Sequence, residues 1–314
     1  MKKYDLEIII GLDCNNNCIF CSNQSLRKLY KEKEIFSLSL NKIENILDSH
    51  DSKTIDTLFL VGGEPTIFKN FFKIIKSART MGYSNITIVT NGRMFKNINF
   101  AKKICKTKIN VIFSVHSHIA QIHNKLTRSP MCFEQLVAGI NNIKSLGYSF
   151  STNTVINKMN YKQIPEIINF LSKYNPSSML FSLVNPAGIP EEKLKNILPC
   201  PNSLNNIIGK SVSTAKRLNQ NIKFIDIPLC IMKEYKNYMH ENDFKHDRKI
   251  IIKGTKEFFH SKNKNENEKM KPLICSTCKK NKDCFGIWKK YIKFYGDKGL
   301  YPISDTVIDE NKYK

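Results

Sequence analysis

The stretch "DCNNNCIFCSN" places Cys14, Cys18 and Cys21 within one short segment, with no fourth cysteine nearby. Three thiols so close together point to metal chemistry, because soft sulfur ligands select zinc or iron–sulfur clusters. A structural zinc site fills all four tetrahedral positions, whereas three protein ligands leave one position open for a reactant. Two uses therefore stay open for the trio. One is a zinc knuckle that borrows a distant fourth ligand. The other is a cubane 4Fe-4S cluster in which three cysteines hold three irons and the fourth iron is free to bind a small molecule. A second group lies far down the chain, in "IDIPLC" ending at Cys230 and in "CSTCKKNKDC" with Cys275, Cys278 and Cys284. These offer four thiolates, a closed set that a zinc ribbon or an iron–sulfur cluster would satisfy equally. Cys200 competes with Cys230 for the fourth place, the strand end at Cys230 being the better candidate, while Cys105 and Cys132 stand apart as plain thiols.

The elements that must position these residues are legible as alternating patterns. Strand-like runs "YDLEIIIGL", "IDTLFLVGG", "NITIVTNG", "INVIFSVHS", "SFSTNTVIN" and "SMLFSLVNPAG" alternate with helical ones such as "FKNFFKIIKSARTMG" and "CFEQLVAGINNIKSLG". That order predicts a parallel sheet with helices outside it. A complete eight-unit barrel needs about 250 residues, so the expected fold is α/β, a partial (β/α)6 TIM-like barrel. The first cysteines follow the first strand directly, at the end where parallel barrels carry their chemistry. "NPAGIPEEKLKNILPCPNS" then interrupts the rhythm as a proline-rich connection. Beyond it come an amphipathic helix, "SLNNIIGKSVSTAKRLNQ", a strand-like "IKFIDIP", and a lysine-rich stretch around "SKNKNENEKMK" that reads as a mobile loop.

Composition narrows the class. The chain has 314 residues, 41% of them hydrophobic and 25% charged, long enough for a large core. No apolar run approaches the roughly 18 residues of a membrane span, and "MKKYDLEIII" reads as a first strand and not as a signal segment. Clustered cysteines without a signal favour metal binding in a reducing cytoplasm over disulfides. The formal net charge of +23 permits nucleic-acid binding, but Lys, Asn and Ile are abundant along the whole chain, so that reading is not favoured.

"CNNNCIFC" is a CxxxCxxC with an aromatic, Phe20, before the third cysteine, and it resembles the defining motif of the radical S-adenosylmethionine (radical SAM) enzymes. "LFLVGGEPT" adds Gly62, Gly63, Glu64 and Pro65, which resemble the family's GGEP element. The resemblance implies a 4Fe-4S cluster on Cys14, Cys18 and Cys21 whose free iron chelates SAM, and reductive cleavage of SAM to a 5′-deoxyadenosyl radical that abstracts hydrogen from a substrate. It implies that Glu64 meets the methionine ammonium, that Asn91, Ser114 and Asn153 line the SAM site, and that Arg128 resembles an arginine near the SAM carboxylate. It also implies a reducing partner such as flavodoxin or ferredoxin. His116, His118 and His123 are read as surface or structural residues.

The CxxC-x5-C of the second set, with an earlier cysteine, resembles the auxiliary-cluster extension called SPASM when it holds two clusters and twitch when it holds one. The longer form would carry a further cysteine where this chain has Trp288, which implies a single auxiliary 4Fe-4S cluster. The resemblance divides the chain into a radical SAM core, residues 1–198, and an auxiliary-cluster region, residues 199–314. Many relatives with this extension modify peptides or mature enzymes, so a peptide or protein side chain is the leading substrate. The alternatives are a small molecule or nucleotide, as in molybdenum-cofactor biosynthesis, a tRNA, and a non-catalytic iron–sulfur or zinc module that holds RNA.

Overall fold

A computed structural model of the chain describes residues 3–32, 38–240, 248–252, 256–259 and 268–304. Six βα units follow one another as the sequence predicts. They are β1 (Tyr4–Gly11) with α1 (Gln24–Glu32) and α2 (Leu40–Asp48), β2 (Ile55–Gly62) with α3 (Phe71–Thr80), and β3 (Ile86–Thr90) with α4 (Ile98–Thr107). The series continues through β4 (Asn110–Ser114) with α5 (Ala120–Thr127) and α6 (Cys132–Ser145), β5 (Ser151–Ile156) with α7 (Ile164–Ser172), and β6 (Met179–Leu183) with α8 (Glu191–Ile197). Each strand pairs in parallel with the next. The result is the open, TIM-like α/β sheet expected, with β1 buried on both faces as its continuous apolar run requires.

The helices show why they pack outside. In α3, Phe71, Ile74, Ile75 and Ala78 are buried, the spacing of one helical face, and α6 buries Leu136, Gly139, Ile140 and Ile143 in the same way. Ser39 caps α2 by accepting from the Lys42 N–H, and Asn97 caps α4 through the N–H groups of Asn99 and Phe100.

After α9 (Leu204–Arg217), the strand-like "IKFIDIP" becomes β7 (Ile222–Ile225), which pairs in parallel with β6 and gives the sheet a seventh consecutive strand. The short helix α10 (Leu229–Met232) follows. At the opposite side of the sheet, β8 (Arg248–Ile252) runs parallel to β1, and β9 (Lys256–Phe259) pairs antiparallel to β8. These two strands carry no signal that the sequence reading used. Most of the lysine-rich stretch read as a loop, residues 261–267, lies outside the described residues. Its end forms β10 (Lys269–Met270), antiparallel to β11 (Ile287–Trp288), before α11 (Lys289–Tyr295). Among the described residues no helix is long and apolar enough to cross a membrane.

Candidate metal centres and SAM site

Cys14, Cys18 and Cys21 sit on the loop between β1 and α1, at the C-terminal end of the parallel strands. Each of Cys14 and Cys18 lies close enough to its partners for their charges to act on it. Burial pushes the Cys14 thiol up to about 11 and raises that of Cys18 further. Thiolates crowded in this way require a bound cation or cluster to offset desolvation and mutual repulsion. The Asn16 N–H donates to the Cys14 sulfur at 3.4 Å, a bond that favours the thiolate.

The loop has no regular structure, yet it is fastened on several sides. The N–H groups of Asn17 and Ile19 donate to the carbonyls of Thr127 and Leu126 at the end of α5, both at 2.9 Å. The Gln24 side chain donates to the Cys18 carbonyl at 2.9 Å, and that of Asn23 to the Gly62 carbonyl at 3.0 Å. Phe20 is buried and meets the buried His116 ring edge-on, centroids 4.7 Å apart.

The GGEP element lies against this loop. Gly63 N–H donates to the Gly11 carbonyl at 2.9 Å and Glu64 N–H to that of Asp13 at 2.7 Å. A Cβ on Gly62 would overlap the Gly11 carbonyl oxygen, and one on Gly63 the Asp13 carbonyl oxygen. Gly62 also holds φ at 136°, open to glycine alone. The glycines thus let two backbones pack together. Glu64, 3% exposed, accepts from the Thr66 N–H at 3.1 Å and hydroxyl at 2.5 Å, the Thr90 hydroxyl at 2.6 Å and the Asn91 N–H at 2.7 Å. Burial raises its carboxyl above the usual range while these donors pull it back. Its first visible work is to join the ends of β2 and β3. Pro65 opens the buried 3-10 turn that follows.

Asn91 faces the loop, its amide donating to Asn15 Oδ1 at 2.6 Å and lying 4.0 Å from the Cys14 sulfur. Ser114 and Asn153 are register partners across β4 and β5, both half-buried, and Ser182 on β6 donates to Asn153 Oδ1 at 2.9 Å. Arg128 is exposed at the C-terminal cap of α5 in the left-handed conformation, and no side-chain bond ties it to the loop. The arginines that reach the loop are others. Arg93 donates to the Asn15 carbonyl, to Asn16 Oδ1 at 3.1 Å and to Ser129 Oγ at 3.1 Å, and Arg27 reaches the Asn16 carbonyl at 3.4 Å. The run of three asparagines between Cys14 and Cys18 was the available signal, since amides at such a density need partners.

His116 and His123 are core residues. His116 Nδ1 accepts from the Val155 N–H at 3.3 Å, its own N–H donates to His123 Nδ1 at 3.2 Å, and the rings stack 5.6 Å apart. Burial lowers both, His123 to about 4, so both are neutral. His118 is half-buried on the loop beyond β4, and burial lowers it as well.

The second set comes together from two segments. Cys230 on α10 and Cys275, Cys278 and Cys284 border one cavity that encloses about 390 Å³ of atom-free space, part of it open to solvent. Cys200 does not border it and lies instead near Tyr295. Burial pushes the Cys230 thiol up to about 11, with further increments from the other three sulfurs. Backbone N–H groups are aimed at these sulfurs, from Tyr301 to Cys230, Ile303 to Cys278 and Gly286 to Cys284. Such N–H···S bonds stabilise cluster thiolates, so both donor sets suit iron–sulfur clusters. Among the described residues no three His, Cys, Asp or Glu close on the position of one metal ion. Trp288, where a longer extension would carry a cysteine, is buried in β11.

The comparisons agree with this geometry. Curated relatives include a "Probable GTP 3',8-cyclase" of Saccharolobus islandicus, 24% identical over 187 residues, which are 59% of this chain and 58% of the relative. Another of that name, from Sulfolobus acidocaldarius, is 28% identical over 191 residues, 60% of this chain and 58% of the relative. The chain thus spans less than two thirds of the length of these relatives. Among solved structures, Streptococcus suis SuiB bound to S-adenosylmethionine superposes with a TM-score of 0.66 at 15% identity, over 93% of this chain and 74% of SuiB. Native anSMEcpe with bound AdoMet and Cp18Cys peptide gives 0.57 at 14% identity, over 71% of this chain and 63% of its own. The profile of the Radical SAM superfamily matches residues 8–171, more than half of the sequence, and the chain belongs to that superfamily.

Proposed function

We propose that this radical SAM enzyme abstracts hydrogen from a peptide or protein side chain. The observation that carries the chemistry is the Cys14–Cys21 loop at the C-terminal end of the sheet, which bears three thiols and is fastened to the ends of β2 and α5. Cys14, Cys18 and Cys21 would hold a 4Fe-4S cluster there, and the group would supply the one-electron chemistry for reductive cleavage of SAM. Around it, Asn91, Ser114 and Asn153 offer polar groups for SAM, and Phe20 with the GGEP backbone walls the site. Glu64 contributes negative charge beside the position proposed for the methionine ammonium. Arg128, exposed as it is, has no supporting contact for a role at the SAM carboxylate.

Residues 1–198 form the core in this reading, and 199–314 a twitch-like region whose four thiolates hold a second 4Fe-4S cluster, with Cys230 and not Cys200 as the fourth ligand. The likeness to SuiB, whose structure is also known bound to a precursor peptide, covers 93% of the chain and supports a peptide substrate. The likeness to the cyclases, confined to 59% of the chain, supports a nucleotide as the second reading. A flavodoxin- or ferredoxin-type reductant would supply the electron.

Anaerobic reconstitution followed by dithionite reduction tests the chemistry. SAM cleavage to 5′-deoxyadenosine is expected in the wild type and absent in a folded Cys18→Ala protein. Retained 5′-deoxyadenosine formation in that variant would overturn the assignment.

A further inference from the structure

The segment between Cys14 and Cys18 is held chiefly by one side chain from outside the cysteine motif. Arg93 stands two residues after Asn91, in the turn between β3 and α4. From Nη1 it donates to the Asn15 carbonyl, Asn16 Oδ1 and Ser129 Oγ, and from Nε to Gln135 Oε1 on α6 at 2.7 Å. Ser129 Oγ in turn donates to the Asn15 carbonyl at 3.0 Å. Asn91 takes the Asn15 side chain, so both oxygens of Asn15 are engaged by partners anchored in the barrel. The planar guanidinium reaches loop and helix at once, which a single ammonium cannot do.

We propose that Arg93 is the positioning residue of the open-cluster site. Resting on the reading that the trio holds a cluster, Arg93 fixes Asn15 and Asn16 between two cysteine ligands, so that the loop is already in its ligand-bearing shape before iron arrives. Arg93 donates to none of the three loop thiols and acts through its two asparagine neighbours. A loop ordered in advance captures and keeps a cluster without the entropy loss of ordering at assembly. The two barrel-anchored backbone bonds of the loop, from Asn17 and Ile19, report on that shape.

Hydrogen–deuterium exchange on the iron-free full-length chain tests this without a cluster. Arg93→Met should speed exchange at the amides of Asn16, Asn17 and Ile19 by about tenfold or more, the scale of a lost charged hydrogen bond, while β2 to β5 stay protected. After anaerobic reconstitution, release of iron to an Fe(II) chelator should accelerate by about the same factor. Arg93→Lys should recover only part of each effect, because it keeps the charge and loses the fork. Unchanged exchange at those amides together with unchanged iron release in Arg93→Met would overturn the proposal. If Arg93→Met loses protection throughout the sheet, Ser129→Ala and Gln135→Ala become the deciding variants. Each removes one anchor, and faster exchange confined to the loop supports the clamp, whereas none in either overturns it. A wild type that protects the loop through Arg93 but takes up no iron would sink the cluster reading and leave the clamp standing.

Discussion

At the scale of single residues, Glu64 and His123 make the sharpest predictions. Glu64→Ala strands the hydroxyls of Thr66 and Thr90 and the N–H of Asn91 in a buried place. Each unsatisfied buried donor costs about 1–3 kcal/mol, so the variant should lose several kcal/mol of stability by urea unfolding of the iron-free protein. Glu64→Gln, which keeps an acceptor, should lose less. A drop in SAM affinity confined to Glu64→Ala would reflect lost shape, because Glu64→Gln loses the charge as well, whereas an equal drop in both would reflect lost charge. His123 predicts a pH effect. Its folded pKa is lowered to about 4 from an ordinary 6.5, so the unfolded chain binds the proton first as pH falls. Its contribution is fully present above about pH 6.5 and is lost progressively toward pH 4, amounting to about 3 kcal/mol at the bottom of that window. His116, also lowered, acts in the same direction. Urea midpoints at pH 7.5 and pH 5 should differ more for the wild type than for His123→Gln, which removes one titrating group.

At the scale of elements, the connection between β6 and α9 does more than span a gap. Ser25 Oγ donates to the Gly188 carbonyl at 3.3 Å, joining the segment to the start of α1. On its other side, Lys290 of α11 donates to the carbonyls of Pro186 and Ile189 at 3.1 Å, and the Tyr295 hydroxyl to that of Leu198 at 2.8 Å. The exposed Lys293–Glu191 pair adds little. One proline-rich segment therefore braces the first cysteine loop against the C-terminal region. Gly188 is its tightest point, because a Cβ there would overlap the Ser22 carbonyl oxygen. Gly188→Ala must move backbone on one side or the other, at a cost of about 1–3 kcal/mol. The expected result is a lower thermal midpoint for Gly188→Ala than for Gly147→Ala, whose Cβ would meet nothing within 4 Å but whose φ of +66° carries its own strain.

At the scale of the molecule, the second thiol set ties β7 to the C-terminal region. Asp226 follows β7 directly, and its carboxylate meets Lys269 Nζ at 2.7 Å, a lysine side chain only 1% exposed that also lies over the Trp288 ring. Cys230 lies four residues beyond Asp226, and Cys284 four before Trp288, so this ion pair, buried at its lysine end, closes the same junction as the cysteines. If both sets hold four-iron clusters, reconstituted protein should contain about eight irons per chain, and the triple alanine variant at 14, 18 and 21 about four. The residual cluster, its shell closed by four thiolates, should give a spectrum that does not respond to SAM. Zinc without iron in the triple variant would make the second set a structural staple.

The sequence by itself determined whatever is written in local spacing. The CxxxCxxC trio, the six βα units and the second cysteine group are patterns within short windows, where ligand geometry and strand or helix period act directly. Only the tertiary structure decided what depends on residues far apart in the chain. It placed Cys230, and not Cys200, on the cavity that Cys275, Cys278 and Cys284 border, because α10 brings Cys230 there while Cys200 stays by Tyr295. It brought Arg93 rather than Arg128 to the cysteine loop, because Arg128 caps a helix facing solvent and Arg93 leaves a strand end facing the loop. It turned Glu64 inward, because Thr66 and Thr90 supply donors that no local pattern announces. And it set β7 and β8 at the two flanks of the six-strand core, since a strand's place in a sheet follows from which edge is left to pair, and an edge exists only once the chain has folded.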